Sequence, residues 1–307
     1  MKKLFILGCP RSGTTMVQQA LNRHSAIAIP PETKFFFSFL GHSRSNQQRH
    51  IERLNDDLNI HLELPQSGVR SDDTARAFYE EMANRYVNRL KKKGVSWFGE
   101  KTPEHTGHMT RIRQLFPDSK ILIVYRDGRD VALSLSKTPW MRGGLYVSFL
   151  VWLYYQRLVI HARDAHMPNI HLACYEDIVA NPEKEFTAIL NFLDLPFEEI
   201  VANGYGSSEG IPEREYPWKA NALQKITPNR VGSFRSELSQ TQIAFLERLG
   251  HHTLSSFGYS LITDGKNSLS LRFLLDLSGR MAMFLAHLPW YSLMQEISEQ
   301  VFLQFLL

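Results

Sequence analysis

FILGCPRSGTTMVQQAL, residues 5–21, decides how the rest of the chain is read. Leu4-Phe5-Ile6-Leu7 is an apolar run within a first strand, Lys3 to Leu7, and Thr15 to Leu21 has the character of a helix, with Met16, Val17, Ala20 and Leu21 on one face. Between them lies a loop in which Gly8 and Gly13 have the G-x-x-x-x-G spacing of a phosphate cradle. Amides at a helix N-terminus hold anions because the N–H groups and the helix dipole point the same way. A nucleoside-triphosphate loop carries Lys after the second glycine. Here Thr14 stands in that place, and the cation has moved into the loop as Arg11.

Working outward, strands and helices alternate. Further strands are expected at 26–29, 95–98, 121–125 and 171–175, and helices around 78–90, 109–116, from 131, over 145–160, at 186–193 and at 243–249. Ile121-Leu122-Ile123-Val124-Tyr125 is apolar without alternation, as in a strand buried on both faces. This order predicts an α/β fold: a P-loop-like parallel sheet flanked by helices on both faces, with a helical C-terminal extension. The domain is expected to cover 1–263 and the amphipathic extension 264–307. Loops at 8–15, 99–103 and 126–130 each follow a strand, so they can converge where ligands bind in such sheets. Residues 41–74 are polar and weakly periodic. Residues 203–229, rich in Gly, Pro, Ser and charge, read as a long loop of the kind that is functional or mobile.

A net charge of +4 is too weak to argue for nucleic acid and suits a small anionic ligand as well. Two cysteines, Cys9 and Cys174, make neither a disulfide framework nor a metal site, which fits a reduced, cytoplasmic protein. The apolar run after Met1-Lys2-Lys3 is too short for a secretion signal. In the extension, Trp290, Met294, Ile297, Val301 and Phe305 share one face. Its plain reading is a helical pair packed on the core. A homodimer, partner or membrane-surface contact through 265–307 is the sharper one.

Four segments in order carry a resemblance: GCPRSGTTMVQQAL, ILIVYRDGRDVALSLS, CYEDIVANPEKEFTAILNFLDLPF and RVGSFRSELS. Together they resemble the sulfotransferases that use 3′-phosphoadenosine-5′-phosphosulfate (PAPS) and release PAP, in the bacterial branch similar to tyrosylprotein sulfotransferases. The likeness implies that Arg11, Ser12, Gly13, Thr14 and Thr15 hold the 5′-phosphosulfate, and that Arg126 and Ser134 hold the 3′-phosphate. It implies that Tyr175 stacks on adenine and that Arg230 and Gly232 close over the nucleotide.

PAPS is anionic at both ends of its ribose, so two anion sites are what the chemistry needs. In-line sulfuryl transfer to a hydroxyl develops charge on the leaving oxygen, where cations stabilise it; Arg11 is one candidate, and the likeness implies Lys101, in GEKTP, as the second. The likeness further places Glu32, in PPETK, as general base. Of the histidines, His24, His42, His105 and His108 sit in no matching motif. The implied acceptor is a hydroxyl-bearing small molecule, glycan or lipid, with no nucleic acid and no metal ion. The rivals are a P-loop kinase or NTPase, and a silent nucleotide-binding or adaptor protein acting through its C-terminal helices. Thr14 in place of Lys, and the retained Glu32, Lys101 and Arg11, speak against them.

Overall fold

The computed structural model of the protein describes residues 1–203, 210–212, 215–219 and 224–263. The expected C-terminal extension and its contacts lie outside the described residues. Two compact units form. One comprises Met1–Arg126 and Tyr155–Val231, the other Asp127–Tyr154 with the described residues from Gly232 onward.

The first unit holds a sheet of five parallel strands: β1 (Lys2–Leu7), β2 (Ile27–Ala28), β3 (Trp97–Lys101), β4 (Lys120–Tyr125) and β5 (Ile170–Cys174). Their order is β2-β3-β1-β4-β5. The chain leaves β1 toward β2 on one side and leaves β4 toward β5 on the other. The carboxyl ends of adjacent β1 and β4 therefore flank a topological switch point, where an open α/β sheet forms its crevice.

Alternation along β1 sorts the core. Leu4 and Ile6 join one apolar cluster with Val17, Ala20 and Leu21 of α1 (Thr14–Asn22) and with Phe186, Ile189 and Leu190 of the helix Pro182–Phe192. Phe5 points the other way, with its ring centroid 5.8, 6.1 and 5.9 Å from those of Phe36, Tyr79 and Phe116. Each fully buried side chain of this size contributes about 1.5–3 kcal/mol. Both faces of the sheet are thus covered by helices.

Two elements depart from the sequence reading. β3 runs through Gly99-Glu100-Lys101, which the residue types mark as loop. Pairing with β1 (Leu4 with Gly99, Phe5 with Glu100, Ile6 with Lys101) draws these poor strand formers into the sheet. Residues 44–58 form a helix within the stretch that showed little periodicity. Its buried face is Gln47, Ile51, Leu54 and Leu58, and the polar Gln47 breaks the apolar pattern. That amide is buried because it replaces backbone partners: Gln47 Nε2 donates to Phe39 O and Val69 O, and Gln47 Oε1 accepts from Val69 N.

The second unit contains the helices Gly128–Ser136 and Gln240–Ser256. Asp127 caps the first through the Arg129 N–H, and buried Arg129 bonds Asp127 Oδ2 at 2.7 Å and Glu247 Oε1. Among the described residues, no helix is long and apolar enough to cross a membrane.

Candidate active site

The loop after β1 is shaped by close approach. Gly8 has φ +138°, and a Cβ there would sit 2.2 Å from Val124 O of β4. Only glycine lets the loop pass that strand. Arg11 adopts φ +73°, a conformation that costs a side chain-bearing residue of order 1–3 kcal/mol and that clusters at functional sites. Ser12 N donates to Cys9 O at 3.1 Å and closes the turn. Gly13 then starts α1 with φ +98°, no side chain caps that end, and no acid lies in its first turn. By helix geometry the first amides of α1 have no intrahelical acceptor. The Ser12 hydroxyl is buried and, among the described residues, has no hydrogen-bond partner. An unsatisfied donor in such a loop suits an incoming anion oxygen.

Tyr175, the first residue after β5, lies against this loop. A Cβ on Gly13 would meet Tyr175 Cδ2 at 2.4 Å. The Arg126 guanidinium sits 4.3 Å from the centre of the Tyr175 ring. Arg126 Nη2 also donates to Arg230 O at 2.5 Å. Burial lowers the pKa of Arg11, and the like charges of Arg230 and Arg126 lower it further. Three arginines therefore share one neighbourhood with the start of α1, and their mutual repulsion is relieved by a polyanion. Ser134, on the helix Gly128–Ser136, and Gly232 belong to the second unit. There Gly232 N and Phe234 N donate to Asp130 at 2.7 and 2.9 Å.

Glu32 follows β2, and Lys101 ends β3. Glu32 Oε1 accepts from Lys101 Nζ and, at 2.7 Å, from Lys219 Nζ. Lys101 Nζ also donates to Thr15 Oγ1 at 3.3 Å, linking this pair to the first turn of α1. Burial alone would raise the Glu32 pKa, but the charges of Lys101 and Lys219 and their hydrogen bonds override it and hold the carboxyl well below its usual range. Burial dominates at Lys101 and brings it down to about 8, against the pull of Glu32. Behind them, buried Glu100 accepts from Thr33 Oγ1 at 2.6 Å and from Thr102 Oγ1 at 2.8 Å, and burial raises it to about 7. Thr33 is thereby pinned beside Glu32.

Two of the histidines bond to the backbone. His24 Nδ1 accepts from Ala26 N and its Nε2 meets Pro196 O, while His105 Nε2 accepts from Phe36 N. Burial holds His105 neutral, well below its usual pKa. Among the described residues no cluster of acids, histidines and cysteines is arranged to hold a metal ion, and neither cysteine is in a disulfide. Sequence reasoning missed Lys219, Glu100 and the Asp127–Arg129–Glu247 group. Lys219 left a local trace in its i,i+4 pairing with Glu215, and Asp127 and Arg129 in standing two residues apart within a quoted segment.

A family model described as "Sulfotransferase family" matches residues 3–199. The chain is 23% identical over 280 residues to a "Putative protein-tyrosine sulfotransferase" of Caenorhabditis briggsae, covering 85% of this chain and 93% of that one. It is 26% identical over 219 residues to "Protein-tyrosine sulfotransferase 1" of Danio rerio, covering 66% of this chain and 55% of the relative, so it spans about half of that relative's length. Among solved structures, the "Sulfotransferase Domain from the Synechococcus PCC 7002 Olefin Synthase" superposes with a TM-score of 0.61 at 21% identity, over 85% of this chain and 96% of that one. That likeness is one of fold.

Proposed function

The chain belongs to the sulfotransferase family, and from that premise we propose that it draws its sulfuryl group from PAPS, releases PAP, and sulfates a hydroxyl on a small molecule, glycan or lipid. One observation carries the reading. At the carboxyl ends of β1, β3 and β4, Arg11, Arg126 and Arg230 act on one another beside the start of α1, and Lys101 of the Glu32–Lys101 pair donates to Thr15 in its first turn.

In this reading Arg11 and the loop Ser12, Gly13, Thr14 and Thr15 hold the 5′ side of the donor. Arg126 holds its 3′-phosphate, Arg230 closes over the nucleotide, and Tyr175 lies against the adenine; the parts of Ser134 at the 3′-phosphate and of Gly232 in the closing loop rest on the resemblance. The orphaned Ser12 hydroxyl and the gathered arginines fit such an anion. The donor supplies a sulfur already bound to a good leaving oxygen. The chain's own part is to orient, to neutralise and to take a proton. Glu32 accepts the acceptor's hydroxyl proton as the new S–O bond forms. Arg11 and Lys101 stabilise the negative charge left on the departing phosphate oxygen, the place where preorganised cations lower the barrier most. A domain over 1–263 in the cytoplasm completes the proposal.

The test is calorimetry of PAP binding, followed by incubation with labelled PAPS and host extract and identification of the sulfated product by mass. Micromolar PAP affinity and a sulfated non-protein hydroxyl are expected. Absence of PAP binding sinks the reading. The two relatives above carry names for protein tyrosine, and a sulfated tyrosine in a protein replaces the acceptor class while leaving the donor in place.

A further inference from the structure

We propose that Lys219 is a positioning residue for Glu32, pinning Oε1 so that Oε2 is the oxygen presented to the acceptor hydroxyl. This rests on Glu32 as the base. Lys101 and Lys219 both sit on Oε1, and among the described residues Oε2 takes no hydrogen bond. The arrangement is buried, with Lys219 and Glu32 side chains 11% and 14% exposed. A carboxylate held at one oxygen by two ammoniums cannot rotate freely, so its remaining lone pairs keep a fixed direction.

Lys219 comes from the short helix Tyr216–Lys219, inside the stretch expected to be a long loop. The described part of that stretch is tied down at two points: Gln18 Nε2 donates to Gly210 O at 3.2 Å, and Lys219 reaches Glu32. Glu215, one turn earlier, accepts from the same ammonium. That second carboxylate lets Lys219 stay charged in a buried place. Burial pulls its pKa down, but Glu32 and Glu215 more than offset this and raise it.

The two lysines divide the work. Lys101 also contacts Thr15 at the head of α1 and can follow charge toward the leaving oxygen. As it turns away, Glu32 loses one counter-charge and becomes more basic when the proton arrives, while Lys219 keeps the carboxylate in place. The charged groups facing Glu32 are Lys101 and Lys219, with Glu215 beyond Lys219. Glu100 couples to Glu32 when ionised, and the neutral His105 adds no charge.

The experiment is a carbon-13 NMR titration of the Glu32 side-chain carboxyl in the unliganded full chain, assigned with Glu32→Gln. In the native protein the carboxyl is expected to stay ionised to the acid limit of the fold. In Lys219→Met its midpoint should rise by about 1–3 pH units, the effect of removing one neighbouring opposite charge. Lys219→Arg should restore the native curve. A Lys219→Met curve that coincides with the native one overturns the proposal. Lys219→Gln is read in its place should the Met variant lose its fold. PAP calorimetry on the same samples separates the two claims: no PAP binding sinks the donor assignment, whereas an unmoved midpoint sinks the role of Lys219.

Discussion

Gly13→Ala should damage the loop in two separable ways. The first is conformational: Gly13 sits at φ +98°, ψ 5°, where a Cβ costs about 1–2 kcal/mol. The second is steric. The new Cβ would lie 2.4 Å from Tyr175 Cδ2 and 3.0 Å from Cε2, so the ring must move. Tyr175 is held in turn by the Arg126 guanidinium 4.3 Å from its centre, which makes that movement expensive. Overpacking of this kind costs about 1–3 kcal/mol. The sum, about 2–5 kcal/mol, is read from urea unfolding of Gly13→Ala. The steric part disappears when the ring is absent, so a cycle with Tyr175→Ala should show coupling of about 1–3 kcal/mol and leave the backbone part behind. Loss below about 0.5 kcal/mol in the single variant, or additivity in the cycle, refutes the packing of Tyr175 on the start of α1.

Three further outcomes are expected. Arg11→Gly removes a charged partner from the loop at a position whose φ of +73° already suits glycine. PAP affinity should fall by about 10–150-fold, the loss of one charge-assisted hydrogen bond, with stability unchanged or raised by up to about 2 kcal/mol as the strained conformation is relieved; calorimetry and urea melts report both. Glu247→Leu leaves Arg129, 1% exposed, short of one buried partner, and unfolding should become easier by about 3–5 kcal/mol. A loss under about 1 kcal/mol there shows that Arg129 is adequately served by Asp127. Glu100 has its pKa raised from 4.5 to about 7 by burial, so the folded state holds its proton through a window in which the unfolded state has released it. The sign follows: stability falls as pH rises across that window, by up to about 3 kcal/mol. Glu100→Gln should flatten stability between those pH values, and a slope identical to the native protein refutes the assignment.

Local pattern carried much of the reading. An apolar run, two spaced glycines, Arg11 and a following amphipathic stretch describe a strand, an anion loop and a helix, because each rests on neighbours in the chain. Arg126 was visible for the same reason, standing at the end of a continuous apolar strand. Family membership follows from these same segments. Two helix and strand boundaries were hidden where tertiary contacts override residue preference: β3 extends through Gly99-Glu100-Lys101 because β1 offers it a ladder, and Gln47 occupies a core face because buried carbonyls need its amide.

The sequence by itself determined that this chain has a phosphate-type loop built around an arginine, and a set of acids and bases available to it. Only the tertiary structure decided which of them meet. Glu32 and Lys219 are 187 positions apart, and Thr33 and Glu100 are 67 apart. Charge pairing between distant elements has no period along a chain: it depends on strand order and on where a long loop returns, and those are settled by burial across the whole sheet.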